Sequence, residues 1–116
     1  MTESPRELRE ALRAFAAERD WDQFHSPRNL ATALAVEAAE LLEPFQWLTE
    51  EQGRSLPPDT RAAVEEEMAD VLLYLVRLAD RLDVDLAAAA RAKIAKNAQK
   101  YPVEKARGSS RKYDAL

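Results

Sequence analysis

The chain has 116 residues, a net charge of −4, no cysteine and only two glycines, Gly53 and Gly108. That length suits one domain, and without thiols the chain can form no disulfide, thiolate zinc site or cysteine nucleophile. Ala, Leu, Glu and Arg dominate, so an all-α fold is expected, and a helical chain this short often gains core by oligomerising. The start, Met1-Thr2-Glu3-Ser4-Pro5, lacks the apolar core of a signal peptide, and no apolar run is long enough to span a bilayer. A soluble, cytoplasmic protein with no membrane partner is therefore expected.

The first helix should begin at Ser4. Ser4-Pro5-Arg6-Glu7 has the form of a capping box with proline at the first helical position. Leu8, Leu12, Phe15 and Ala16 recur at helical spacing, and the helix should end near Asp20. A short aromatic segment, Trp21 to His25, follows. The second helix starts at Ser26-Pro27 and runs through Leu30, Leu34, Leu41 and Leu42 until Pro44 kinks or ends it. After Phe45-Gln46-Trp47, residues 49–58 read as a loop containing Gly53, Pro57 and Pro58. The third helix is expected from Thr60 to about Leu82, capped by Asp59 or Thr60. Its second half is apolar nearly all round, which predicts the most buried element. Asp83-Val84-Asp85 makes a break with Asp85 as the expected cap, and a fourth helix runs from Leu86 to about Tyr101, where Pro102 stops it. The expected organisation is a four-helix domain over 1–102 with a basic tail, 103–116, belonging to the same domain.

Two acidic pairs carry the chemical signal. Glu37 and Glu40 lie in a helix among Leu34, Val36, Leu41 and Leu42; Glu67 and Asp70 lead into Val71-Leu72-Leu73-Tyr74-Leu75-Val76. A spacing of three puts each pair on one helical face, and Tyr74 extends the second stripe. Carboxylates on aliphatic surface are expensive to desolvate unless a cation compensates. If the two helices pack side by side, four carboxylates meet across one gap, and a hard divalent ion such as Mg²⁺ satisfies them while keeping positions for water or phosphate oxygens. Any single E-x-x-E is common on solvated helices, so the repetition in apolar context is what matters. A ferritin-like di-iron site would want Glu-x-x-His pairs, and the only histidine, His25, lies outside both helices.

Charge is unevenly distributed. From Arg91 onward there are eight Lys or Arg against Glu104 and Asp114, a balance of +6 that leaves −10 on the first ninety residues. An acidic body with a basic end suits a metal site that meets a polyphosphate, and equally a solvated tail. The acidic body argues against duplex nucleic acid as partner. There is no Gly-rich phosphate loop, His-Glu-x-x-His motif or dinucleotide fingerprint. Trp21, His25, Trp47 and Tyr74 offer rings that could stack on a nucleobase or fill core gaps. Lys93, Asn97 and Lys100 share one face of the fourth helix.

These residues fall into a known pattern. Glu18 to His25, Pro27-Arg28-Asn29-Leu30, Glu37-Ala38-Ala39-Glu40-Leu41 and Phe45-Gln46-Trp47 resemble the MazG-like all-α nucleoside triphosphate pyrophosphohydrolases, in particular the dCTP pyrophosphatase branch. Glu67 to Leu75, then Lys93, Asn97 and Lys100-Tyr101-Pro102, and the tail Ala106 to Tyr113 continue the likeness in order. The resemblance implies cleavage of a nucleoside triphosphate between the α and β phosphates, with two or more Mg²⁺ ions (Mn²⁺ as substitute) and a role in cleansing the nucleotide pool. It implies Glu37, Glu40, Glu67 and Asp70 as metal ligands and catalytic residues, with Glu40 as one candidate to take the proton of the attacking water. It implies Trp21, His25, Trp47 and Tyr74 as base and sugar pocket, Asn97 as a nucleotide contact, and Lys93, Lys100, Arg111 and Lys112 as phosphate contacts. It further implies a homo-oligomer built through helices, a tetramer or a dimer, with sites between subunits. Pro44 and Leu12 depart from related sequences near the expected pocket, which leaves substrate preference open. The alternatives are dUTP or a modified nucleotide as substrate, and a non-catalytic helical interaction module.

Overall fold

The computed structural model describes residues 4–116. The described residues form helices α1 (Pro5–Glu18), α2 (Pro27–Leu42), α3 (Glu50–Arg54), α4 (Pro58–Arg81), α5 (Leu86–Lys100) and α6 (Val103–Ala106), with 3₁₀ turns at Asp22–Phe24 and Tyr113–Ala115. Among them there is no strand, as the composition predicts. The chain forms two compact units, one through Val84 and one from Asp85 to Leu116.

In the first unit α4 is the axis, and α1 and α2 pack on it. The start of α1 follows the sequence signal: Ser4 Oγ accepts from the Glu7 amide, and the Glu7 side chain accepts from the Ser4 amide. Ser26 caps α2 in the same manner by accepting from the Asn29 amide. Each hydroxyl satisfies an amide that the first helical turn leaves without a partner. The apolar centre comprises Ala16 of α1, Leu30 of α2, and Val64, Val76 and Ala79 of α4. Leu30 is the large side chain most completely enclosed, at 2% exposure.

Both α1 and α4 end in the same device. Asp20 and Asp83 adopt left-handed backbone conformations, with φ of 54° and 57°. After α1, the Trp21 amide donates to Ala16 O and the Asp20 amide to Ala17 O; after α4, the Val84 amide donates to Ala79 O and the Asp83 amide to Asp80 O. This is the Schellman arrangement, in which carbonyls at the helix end find donors from the reversing chain. Aspartate occupies the position usually taken by glycine because its short polar side chain tolerates the left-handed region.

Two expectations need correction. Residues 49–58 are not all loop: Glu50–Arg54 is helical, held by a capping box between Thr49 and Gln52 that the flanking glycine and prolines obscured. The long helix begins at Pro58, with Pro57 in the cap position, rather than near Thr60. Proline at the first helical position has φ already set and lacks only an amide that would have no partner there. The long helix is the most buried element, as expected, through Val64, Val76, Arg77 and Ala79, although Leu72 and Leu75 on its other side are exposed. Two covering helices in the same unit cannot enclose an apolar helix on every side.

The second unit is built on α5. Asp85 caps it by accepting from the Ala88 amide, as the sequence predicts. Its tail contains the short helix α6 and returns Tyr113 edge-on to Tyr101 at 6.3 Å, with Lys100 Nζ 4.8 Å above the Tyr113 ring.

Candidate metal and nucleotide site

The packing of α2 on α4 brings Glu37, Glu67 and Asp70 together. One oxygen from each lies within 4.8 Å of the others. The two α4 residues share a face because they are three apart, and Glu37 approaches from the facing helix. All three are half-buried. Glu40, one turn along α2 from Glu37, stands outside that close group but bears on it electrostatically.

The cluster is poorly satisfied by the protein alone. Glu37 Oε2 and Glu67 Oε2 are buried without a hydrogen-bond partner. Glu37 is pushed up to about 7, first by its hydrogen-bonding approach to Glu67, then by burial, then by Glu40. Like charges and desolvation both disfavour the ionised form. Orphaned, buried carboxylate oxygens converging on one point fit a hard divalent cation, which takes several oxygens and retains waters. Among the described residues no arginine or lysine forms an ion pair with Glu37, Glu40, Glu67 or Asp70.

Trp21 and His25 are placed by the Schellman turn after α1 and the 3₁₀ turn that follows it. Trp21 packs edge-on against Phe15 at 5.7 Å and against His25 at 6.3 Å. His25 Nδ1 accepts from Arg77 Nε at 3.0 Å, and the His25 carbonyl accepts from Arg81 Nε at 3.0 Å. Burial, followed by Arg77, lowers the His25 pKa, and Asp22 opposes the shift. Tyr74 lies half-buried on α4, one turn beyond Asp70. Trp47, in the turns after α2, is 87% exposed. Lys93, Asn97, Lys100, Arg111 and Lys112 all belong to the second unit; the first two and the last two are exposed, and Lys100 is engaged with Tyr113.

One residue escaped the sequence reading. Arg77 is only 4% exposed and is the buried polar residue of the helical core. Its Nη2 donates to Asp22 and its Nη1 reaches Asp80, whose carboxylate also takes a two-pronged contact from Arg13. Arg13 holds the Asp80 pKa below its ordinary value. Arg77 lies on the stripe of Glu67, Asp70 and Tyr74 at spacings of three and four, but periodicity gives no sign of its distant partners.

The fold and this site define an all-α protein with an inter-helix carboxylate cluster suited to a divalent cation. The MazG-like family model matches residues 32–116. The chain is 52% identical over 112 residues to dCTP pyrophosphatase 1 of Mus musculus and of Homo sapiens, and 48% identical to that of Bos taurus. These alignments take in 95% of this chain and 66% of each relative, so the chain spans just under two thirds of their length. A crystal structure of a pyrophosphatase from Archaeoglobus fulgidus DSM 4304 superposes with a TM-score of 0.80 at 39% identity, over 88% of this chain and 95% of that one. The chain belongs to the MazG-like family. No helix among the described residues is long and apolar enough to cross a membrane.

Proposed function

We propose that this protein is a Mg²⁺-dependent nucleoside triphosphate pyrophosphohydrolase that cleaves dCTP or a related deoxynucleotide to the monophosphate and pyrophosphate. The observation that carries the reading is the convergence of Glu37, Glu67 and Asp70 with two buried, unpartnered oxygens. Its support from relatives is their printed activity, dCTP pyrophosphatase.

Glu37, Glu67 and Asp70 would hold the cation, with Glu40 completing the set. Two or more Mg²⁺ ions, replaceable by Mn²⁺, would polarise the phosphates and lower the pKa of an attacking water. The carboxylates fix where the triphosphate lies and balance its charge. Glu40 would be the carboxylate that accepts a proton from the attacking water. Trp21, His25 and Tyr74 line the direction of the base and sugar, and Trp47 completes the pocket only from a neighbouring subunit. Lys93, Asn97, Lys100, Arg111 and Lys112 serve as nucleotide and phosphate contacts. Consumption of unwanted deoxynucleotides in the cytoplasm fits this chemistry.

A homo-oligomer, tetramer or dimer, belongs to the same proposal. Val36 and Leu42 of α2 and Met68 and Leu72 of α4 are 45–59% exposed, an apolar surface that a lone subunit leaves in water. Burying such surface against another copy is favourable by roughly 25 cal/mol per Å².

A panel of triphosphates incubated with Mg²⁺ tests the activity. The expected products are monophosphate and pyrophosphate, with dCTP or a modified relative turned over faster than CTP, because Tyr74 beside the sugar disfavours a 2′-hydroxyl. Release of orthophosphate and a diphosphate would contradict α–β cleavage, and equal turnover of dCTP and CTP would remove the role of Tyr74.

A further inference from the structure

Along α4, Glu67, Asp70, Tyr74, Arg77 and Arg81 succeed one another at spacings of three and four. Such residues share one face of a helix. At 1.5 Å per residue, Asp70 and Arg77 are separated by roughly 10 Å along the axis. The acidic cluster therefore marks one end of a ruled face, and the grip on His25 marks the other.

That grip has a definite chemistry. Arginine has only donors, so the ring nitrogen facing Arg77 Nε must be an acceptor. Nδ1 is thus bare, and a neutral His25 carries its proton on Nε2. The guanidinium is itself fixed, because Asp22 and Asp80 take its other nitrogens and the side chain is almost wholly buried. Arg81 holds the His25 carbonyl, so both backbone and ring are constrained. The charged groups facing the imidazole are Arg77 and Arg81 of α4 and Asp22 of the 3₁₀ turn.

We infer that Arg77 is a positioning residue of the nucleotide site, locking His25 as the Nε2–H tautomer so that it presents one fixed hydrogen-bond donor to an acceptor atom of the bound nucleotide. The inference rests on His25 belonging to the base and sugar pocket. A histidine free to change tautomer could present either a donor or an acceptor there; the locked ring presents only a donor, which pairs with a lone pair. Burial and the two arginines also keep the ring neutral at neutral pH, which preserves that single pattern.

His25 is the only histidine, so ¹⁵N NMR of the labelled full chain reads one imidazole. The expected wild-type spectrum shows a bare Nδ1 and a protonated Nε2. Arg77→Met is expected to give a mixture of tautomers and to raise the His25 titration midpoint, and Arg77→Lys to restore part of the lock. Arg77→Met should raise KM for dCTP about tenfold, the value of one well-placed hydrogen bond, with kcat changed far less. Arg77→Met combined with His25→Phe should be no worse than His25→Phe alone. A wild-type ring protonated on Nδ1 overturns the inference even if Arg77→Met does not fold, as does an Arg77→Met variant with unchanged tautomer and KM. A correct tautomer whose signals do not move when a non-hydrolysable dCTP analogue saturates the protein defeats instead the placement of His25 in the pocket, and with it the positioning role.

Discussion

Glu67→Gln is expected to lower turnover by at least about 100-fold while leaving the helical fold intact. Losing even a group that supports a metal ligand costs 10- to 100-fold in metal affinity or activity, and Glu67 is proposed to touch the metal itself. The same substitution removes a negative charge from a crowded, partly buried cluster whose Oε2 has no partner. The metal-free variant should therefore melt at a higher temperature than the wild type. The two effects point in opposite directions, and both are needed. A helical interaction module without catalysis predicts something different: altered assembly and no turnover to lose. Steady-state assay with a circular dichroism melt separates the readings. Full activity in Glu67→Gln would show that this carboxylate does not hold the reactive metal.

The second large effect is a pH dependence. Glu37 is raised from 4.5 to about 7 by Glu67, burial and Glu40. Between those values the folded, metal-free protein holds a proton that the unfolded chain has released. Its stability from this group is therefore fully present below pH 4.5, falls as the pH climbs through about 7, and is flat above. Metal needs the ionised carboxylate, so binding at pH 6 should displace a proton from Glu37 and binding at pH 8 should not. Apparent Mg²⁺ affinity should fall by up to about tenfold per unit below pH 7. Titration calorimetry in buffers of different ionisation enthalpy measures the proton count directly, and Glu37→Gln should flatten the profile. Equal proton release at pH 6 and pH 8 would contradict the assignment of Glu37 as a ligand.

Helix starts were legible in the sequence wherever a serine or aspartate cap preceded a periodic run, at Ser4, Ser26 and Asp85. The acidic pairs were legible because charge in an apolar stripe is locally anomalous, whatever the tertiary arrangement. The short helix at Glu50–Arg54 was hidden because its capping box sits among residues that favour turns. Arg77 was hidden for another reason. A lone arginine in a helix reads as solvated unless its partners are known, and Asp22 and His25 stand 55 and 52 residues away in the chain. Long-range pairing of that kind is a property of packing, not of periodicity. The exposure of Trp47 and Met68 had no signature either, since which helix faces are covered depends on how the helices pack.

Glu37, Glu67 and Asp70 are proposed to hold together a dication that grips a triphosphate. Mn²⁺ binding followed by electron paramagnetic resonance, with a non-hydrolysable dCTP analogue present, addresses this most directly. The wild type is expected to take up Mn²⁺ in a protein-bound form whose spectrum changes when the analogue is added, and Glu37→Gln, Glu67→Gln and Asp70→Asn are each expected to lose it. Retention of the same bound signal in all three variants, or its absence from the wild type, would contradict the claim.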